Sequence, residues 1–191
     1  MMERTLIVLK PDAVQRSLIG EILMRFEKTG LKIIGLKMVH ASKDVAGEHY
    51  ADDEEWLKSV GTKAKKAYEA KGVESKDSEL EIGQRIRRQL MDFISMSPSV
   101  AVCIEGHGAI DKVRAIVGAT APMNALPGTI RGDFAFDSYG LADESGRPLQ
   151  NLIHASDASE TAAREIKIWF NDDELLPYQR VDEALIYRKV E

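Results

Sequence analysis

The chain has 191 residues, 44% of them hydrophobic, and a formal net charge of −5. That length and apolar content suit one domain with a substantial core, and the acidic balance excludes broad electrostatic attraction to nucleic acid or an anionic membrane. The one cysteine, Cys103, lies in an apolar run and allows no disulfide framework within the chain.

Residues 5–9 (Thr-Leu-Ile-Val-Leu) read as a central strand, because the apolar run is continuous rather than alternating, and Pro11 ends it. The run is too short and too closely flanked by charge for a signal sequence or membrane span, so a cytoplasmic location is expected. Lys10 is presented directly at the strand end. Ile19, Ile22, Leu23 and Phe26 recur at helical spacing, closed by Gly30. Residues 31–39 read as a second strand and 42–50 as a short helix capped by Ser42. Trp56, Leu57, Val60, Ala64 and Tyr68 line one face of a lysine-rich helix, and residues 72–78 form a polar turn. Ile82, Ile86, Leu90, Phe93 and Ile94 mark the next helix. Residues 100–105 are a third strand, and Ile110, Val113, Ile116 and Val117 define a helix that stops at Gly118, with Arg114 beside its apolar stripe.

Residues 119–132 read as a long irregular loop holding Thr120 and Arg131; loops of that length are functional or interfacial more often than idle. Residues 134–136 begin a fourth strand, which a polar insertion interrupts before it ends at residues 151–154. Ser156 or Asp157 is expected to cap the last helix, Asp157 with Glu160 resembling a capping box, and Ala158, Ala162, Ile166, Trp169 and Phe170 follow at helical spacing. The tail from Leu175 packs on the core or on a neighbouring subunit. The order β-α-β-(α-α)-β-α-β-α is that of a ferredoxin-like α/β sandwich, a four-stranded antiparallel sheet with helices on one face and an inserted helical segment. Residues 1–191 form a single domain.

His154 falls at a strand end just before the free N–H groups of a helix start, a place that favours an anion. Glu165, two turns into that helix, is placed to reach one ring nitrogen, fixing the tautomer and leaving the other nitrogen as base, ligand or nucleophile. A purely structural histidine capping a turn is the plainer alternative; the convergence of strand end, helix start and carboxylate favours function. Lys10, Arg114 and Arg131 all lie at element edges, and such cations suit phosphate. The chain has no G-x-x-x-x-G-K-[ST] loop, and Gly106-His-Gly108 lacks the rest of a dinucleotide fingerprint. No H-E-x-x-H or C-x-x-C spacing marks a protein-held zinc. His40, His49 and His107 read as surface residues or supports behind a site.

These residues closely resemble nucleoside diphosphate kinase. The matching pieces are Lys-Pro-Asp-Ala-Val-Gln-Arg at 10–16, Glu-His-Tyr at 48–50, Pro-Gly-Thr-Ile-Arg-Gly-Asp-Phe at 127–134 and Asn-Leu-Ile-His-Ala-Ser-Asp at 151–157. Gly20-Glu-Ile, Arg25-Phe-Glu, Glu165-Ile and Trp169-Phe170 extend the match over nearly the whole chain. The resemblance implies a ping-pong transfer of a γ-phosphoryl group from a nucleoside triphosphate to His154 and on to a nucleoside diphosphate. It implies that Lys10 contacts the sugar and terminal phosphate, that Tyr50 supports the phosphoryl group, and that Arg114, Thr120 and Arg131 grip the phosphates. Asn151 would bind the sugar, Glu165 would orient the histidine, and Mg2+ would arrive on the phosphates.

It also implies self-association, usually a hexamer, with dimer and tetramer left open, and residues 119–132 near the contacts. Two departures stand out. The family's base-stacking aromatic falls on Ile86, so that the stacking surface is weaker or is replaced by Trp56 or Tyr68. Insertions at about 53–85 and 139–150 enlarge the chain, and the first is expected to reshape the nucleotide lid and alter base preference. A non-catalytic nucleotide sensor on the same fold is the competing reading, but it has no need of the nucleophile. Nucleic-acid binding by an α/β sandwich is disfavoured by the acidic balance and the lack of interleaved basic and aromatic residues.

Overall fold

The computed structural model describes residues 2–70, 72 and 75–189. Strands β1 (Met2–Leu9), β2 (Lys32–Val39), β3 (Ser99–His107) and β4 (Ile153–Ala155) form one sheet in the order β2-β3-β1-β4, with every neighbouring pair antiparallel. β1 and β2 are therefore parallel strands separated by β3, the split β-α-β arrangement of a ferredoxin-like sandwich.

Helices cover both faces of the sheet rather than one. Ile7 and Leu9 of β1 point into a cluster with Ile22, Phe26, Val113 and Val117; Leu6 and Val8 point the other way, into a cluster with Ile94, Ile166 and Trp169. Side chains alternate along a strand, so a run of four apolar residues serves two cores at once. The first core rests on α2 (Ile19–Glu27) and α6 (Ala109–Val117), and the second on α3 (Lys43–His49), α5 (Glu79–Ile94) and α9 (Ser159–Trp169). The first turn after β1 is α1 (Pro11–Gln15), with Pro11 at the helix start, where its missing N–H costs nothing.

α4 (Glu54–Ala70) and α5 pack as a hairpin. Gly61 and Gly83 permit this: a Cβ on Gly61 would stand 1.8 Å from the Glu79 carbonyl oxygen, and one on Gly83 would stand 2.1 Å from that of Leu57. α5 begins with a capping box, Ser78 accepting from the Glu81 N–H while Glu81 accepts from the Ser78 N–H. Part of the turn expected at residues 72–78 lies outside the described residues.

Three local expectations are corrected. Residues 134–136 are not strand; α7 (Ile130–Phe134) occupies the end of the expected loop, capped by Thr129 accepting from the Gly132 N–H, and the loop also holds a 3-10 turn at Pro122–Asn124. The segment expected as an insertion at 139–150 interrupts no strand: it holds α8 (Tyr139–Glu144), capped by Ser138, and β4 begins only at Ile153. Neither Ser156 nor Asp157 caps α9; its N-cap is Ala158, with no side-chain bond, because the Ser156 hydroxyl is committed elsewhere. The tail packs on its own sheet. The Leu176 N–H donates to the Ile34 carbonyl at 2.7 Å, Arg180 donates to the Leu31 carbonyl, and a short α10 (Glu183–Ile186) follows.

Candidate active site

The cleft lies where the C-terminal end of β1, β4, α6 and the α4–α5 hairpin meet. It encloses about 690 Å³. Lys10, Tyr50, Ile86, Arg114, Thr120, Arg131, Asn151 and His154 all line it, so residues spread over the sequence share one cavity. Glu165 stands behind it.

The floor is the segment 151–154, and its shape begins at Asp12. The buried carboxylate accepts from the Leu152 N–H (3.0 Å) and the Ala13 N–H (3.1 Å), while the Lys10 N–H donates to the Leu152 carbonyl (2.8 Å). Leu152 takes φ +67°, the left-handed region. For a branched side chain that costs roughly 1–2 kcal/mol, and two buried hydrogen bonds of about 1 kcal/mol each offset it. The twist sets the course of the next two residues, so that His154 occupies the middle of β4 rather than its end and pairs with Val8.

His154 is partly open to the cleft. Its Nε2 lies 2.8 Å from Glu165 Oε2. A carboxylate can only accept, so Nε2 carries the proton and Nδ1 holds the free lone pair. The same carboxylate oxygen accepts from the Ser156 hydroxyl at 2.6 Å. Glu165 is 3% exposed, and these two donors fix its plane. The expected Glu165–His154 contact is present, made from a helix face two turns in.

His49 completes the support. Its ring packs edge-on against that of His154, with centroids 4.4 Å apart and planes at 79°, and it touches Tyr50 and Trp169 in the same manner. The Trp169 indole N–H, which can only donate, points at His49 Nδ1 (3.2 Å), so His49 carries its proton on Nε2. Burial, helped by the neighbouring His154 ring and the positive charges of Lys10 and Arg164, holds its pKa well below the ordinary value, and the ring stays neutral. Of the two roles left open for this residue the structure supplies the second. Its neighbour Tyr50, already a candidate, was the only sequence signal. His40 and His107 are exposed, as expected.

The cations are arranged unequally. Lys10 donates from Nζ to Asn151 Oδ1 at 2.8 Å, and burial and the nearby Arg131 lower its pKa to about 8, against the pull of Asp12. Asn151 in turn donates to the Thr120 carbonyl at 2.8 Å. Arg131 is buried and spends three N–H groups on the carbonyls of Asn151, Gly118 and Ile153, at 3.1, 3.0 and 2.6 Å. Burial and Arg114 bring its pKa down to about 10, which leaves it charged at neutral pH. Arg131 therefore clamps the loop and the floor together, with two of its five N–H groups remaining, while Arg114 is exposed on α6. The Tyr50 hydroxyl is buried with no hydrogen-bond partner among the described residues, and burial raises its pKa, so it stays a donor.

Tyr68 and Ile86 line the cleft; Trp56 does not, and packs instead against the second core. Sequence reasoning missed the cleft residues Lys63, Gln89, Tyr139 and Arg147, because nothing in their local pattern separates them from a solvated helix face or turn.

A family model for nucleoside diphosphate kinase matches residues 3–60 and 79–175. The chain belongs to the nucleoside diphosphate kinase family. It is a phosphotransferase acting on nucleotides. The nucleoside diphosphate kinase of Pyrobaculum aerophilum is 48% identical over 179 residues, covering 91% of this chain and 98% of its own. That of Pyrococcus abyssi is 42% identical over 187 residues, covering 98% and 95%. Among solved structures, an NDP kinase from Pyrobaculum aerophilum superposes with a TM-score of 0.90 at 46% identity, over 93% of this chain and all of that one. A Borrelia burgdorferi nucleoside-diphosphate kinase, a transition-state mimic with bound vanadate and ADP, gives 0.79 at 36% identity over 96% of each chain. The family match skips residues 61–78, the outer part of the α4–α5 hairpin, and runs through the α8 region. No helix among the described residues is long and apolar enough to cross a membrane.

Proposed function

We propose that this kinase moves the γ-phosphoryl group of a nucleoside triphosphate to His154 and then to a nucleoside diphosphate, in two half-reactions on one cleft. The observation that carries this is the 2.8 Å bond from His154 Nε2 to a buried carboxylate, which leaves Nδ1 as the nucleophilic atom beside Lys10, Arg114 and Arg131. Nδ1 forms the N–P bond as the bond from phosphorus to the β-phosphate oxygen breaks, and the diphosphate leaves with that electron pair. The Nε2 proton stays on the ring and its bond to Glu165 strengthens as the ring gains positive character. The second half-reaction reverses these events on another diphosphate.

The remaining residues align and neutralise, which is most of what phosphoryl transfer asks of a protein. The unpartnered Tyr50 hydroxyl is a donor for a phosphoryl oxygen. Lys10 serves the terminal phosphate and sugar, Arg114, Thr120 and the two remaining N–H groups of Arg131 serve the phosphates, and Asn151 serves the sugar.

Among the described residues the one cluster of metal-type donors, His49, His154 and Glu165, is already engaged in holding the nucleophile. Mg2+ therefore fits as a passenger on the phosphates, where it would neutralise charge on the transferred group. Self-association, with a hexamer as the family's usual form, is supported by Leu126 and Phe136, which are 74% and 76% exposed around the Thr120–Arg131 loop. A cytoplasmic location agrees with an unpaired, buried Cys103.

The test is incubation with γ-labelled ATP and no acceptor. Acid-labile, alkali-stable label should appear, discharge on adding a nucleoside diphosphate, and be absent from His154→Ala. Label that persists in His154→Ala would overturn the assignment.

A further inference from the structure

We infer that the outer α4–α5 hairpin and the α8 segment form a clamp that selects purine over pyrimidine bases, with Tyr68 as its stacking surface and Arg147 as its polar end; this rests on the cleft being the nucleotide site proposed above. Ile86, where the family resemblance places an aromatic, presents an apolar side chain but no π face. The replacement lies one helix away. Val60, Ala64 and Tyr68 recur every fourth residue along α4 and line the cleft as one stripe.

Tyr68, Ile86 and Gln89 on the hairpin, and Ala142 and Arg147 from the α8 segment, also line a second cavity of about 300 Å³. These shared residues mark it as a continuation of the cleft between the hairpin and the α8 segment.

Both walls are held rigid. Gly61 and Gly83 lock α4 onto α5, and Arg87 of α5 donates to the carbonyls of Tyr50 (2.9 Å) and Gly47 (3.1 Å), fixing the hairpin to the end of α3. The Tyr68 hydroxyl interacts with Arg85, which is itself bonded to Asp77 at 2.6 Å, so the ring is anchored at its polar tip. Arg147 is gripped at two points by buried Asp137, at 2.6 and 3.2 Å, and Asp137 also accepts the Gln150 N–H at 2.7 Å. Two Arg147 contacts go to that carboxylate and one to the Pro148 carbonyl, which leaves further N–H donors on the guanidinium.

A purine fills such a clamp better for two reasons. Its second ring adds stacking area against Tyr68, and its N7, joined by O6 in guanine, carries acceptors that an arginine or glutamine recognises. A pyrimidine has neither the second ring nor N7 and stops short of Arg147.

Calorimetric titration of the wild-type protein with ADP, GDP, CDP and UDP tests this without requiring phosphoryl transfer. The purine diphosphates should bind several-fold to about tenfold more tightly, because every base stacks but a purine adds ring area and the Arg147 contact. Tyr68→Ala should weaken purine binding by a similar factor and pyrimidine binding by less, while Tyr68→Phe keeps the preference. Arg147→Met should narrow the ratio by weakening purines alone. Equal affinity of the wild type for all four, or equal weakening of all four in Tyr68→Ala, overturns the clamp. Selective binding in a protein that takes no label from ATP overturns the phosphohistidine route and leaves the clamp standing.

Discussion

Lys10 donates across 2.8 Å to Asn151, joining the residue after β1 to the residue three before the histidine. The bond holds an ammonium and a carboxamide, 141 positions apart, in one pocket with Arg131 close by. Like charge and burial are tolerated there because an incoming polyphosphate relieves both.

That arrangement sets a pH dependence. With a pKa of about 8 against 10.5 for a free lysine, Lys10 loses its charge in the empty cleft as pH rises through about 8. The expected kcat/KM profile falls on the alkaline side with an apparent pKa near 8, and Lys10→Arg removes that limb. Stability moves the opposite way. Between about 8 and 10.5 the unfolded chain holds more of the proton than the fold does, so unfolding free energy rises with pH there. Parallel profiles of kcat/KM and of denaturant midpoint check both signs.

His49 sets a second dependence. It is neutral in the fold, with its pKa well below 6.5, whereas an unfolded chain binds that proton as pH falls through about 6.5. Stability is therefore present above that pH and lost below it, at up to about 1.4 kcal/mol per pH unit for one proton. His49→Phe should flatten this acid slope relative to wild type in denaturant titrations between about pH 5.5 and pH 7.5 (a window of about one unit either side of the free value). An unchanged slope would mean that His49 is not held neutral by the fold.

The lid gives a third. Gly61→Ala places a methyl group where the Glu79 carbonyl stands, and overpacking of this kind costs about 1–3 kcal/mol. A lower melting temperature is expected, with a raised KM and a kcat close to wild type, because the hairpin walls the cleft proposed to take the nucleotide while the Glu165–His154 pair lies outside it. Steady-state kinetics checks the split.

Much of this was legible in the chain because the signals were local. Leu6 to Leu9 announced a doubly covered strand, and the apolar spacings of α2, α5, α6 and α9 announced helices. The Glu165–His154 contact followed from helix geometry once β4 was placed. What failed was short or depended on distant partners. Phe134-Ala-Phe136 alternates like a strand, yet Thr129 caps a helix through Phe134, and the Asp137–Arg147 pair then draws the chain into α8. Asp157 resembles a cap, but Ser156 is drawn away by the buried Glu165 and the helix starts two residues later. Arg131 looked like a phosphate ligand alone, and only the fold brings three backbone carbonyls to it. His49 is invisible as a support until Trp169, 120 residues on, closes over it.

The role of one ring atom, Nδ1 of His154, is tested most directly by identifying the phosphorylated nitrogen. Phosphorus–nitrogen NMR correlation on the protein treated with ATP alone should show phosphate on Nδ1 of His154, with Nε2 still protonated and facing Glu165. Phosphate on Nε2, or on any residue other than His154, would contradict it.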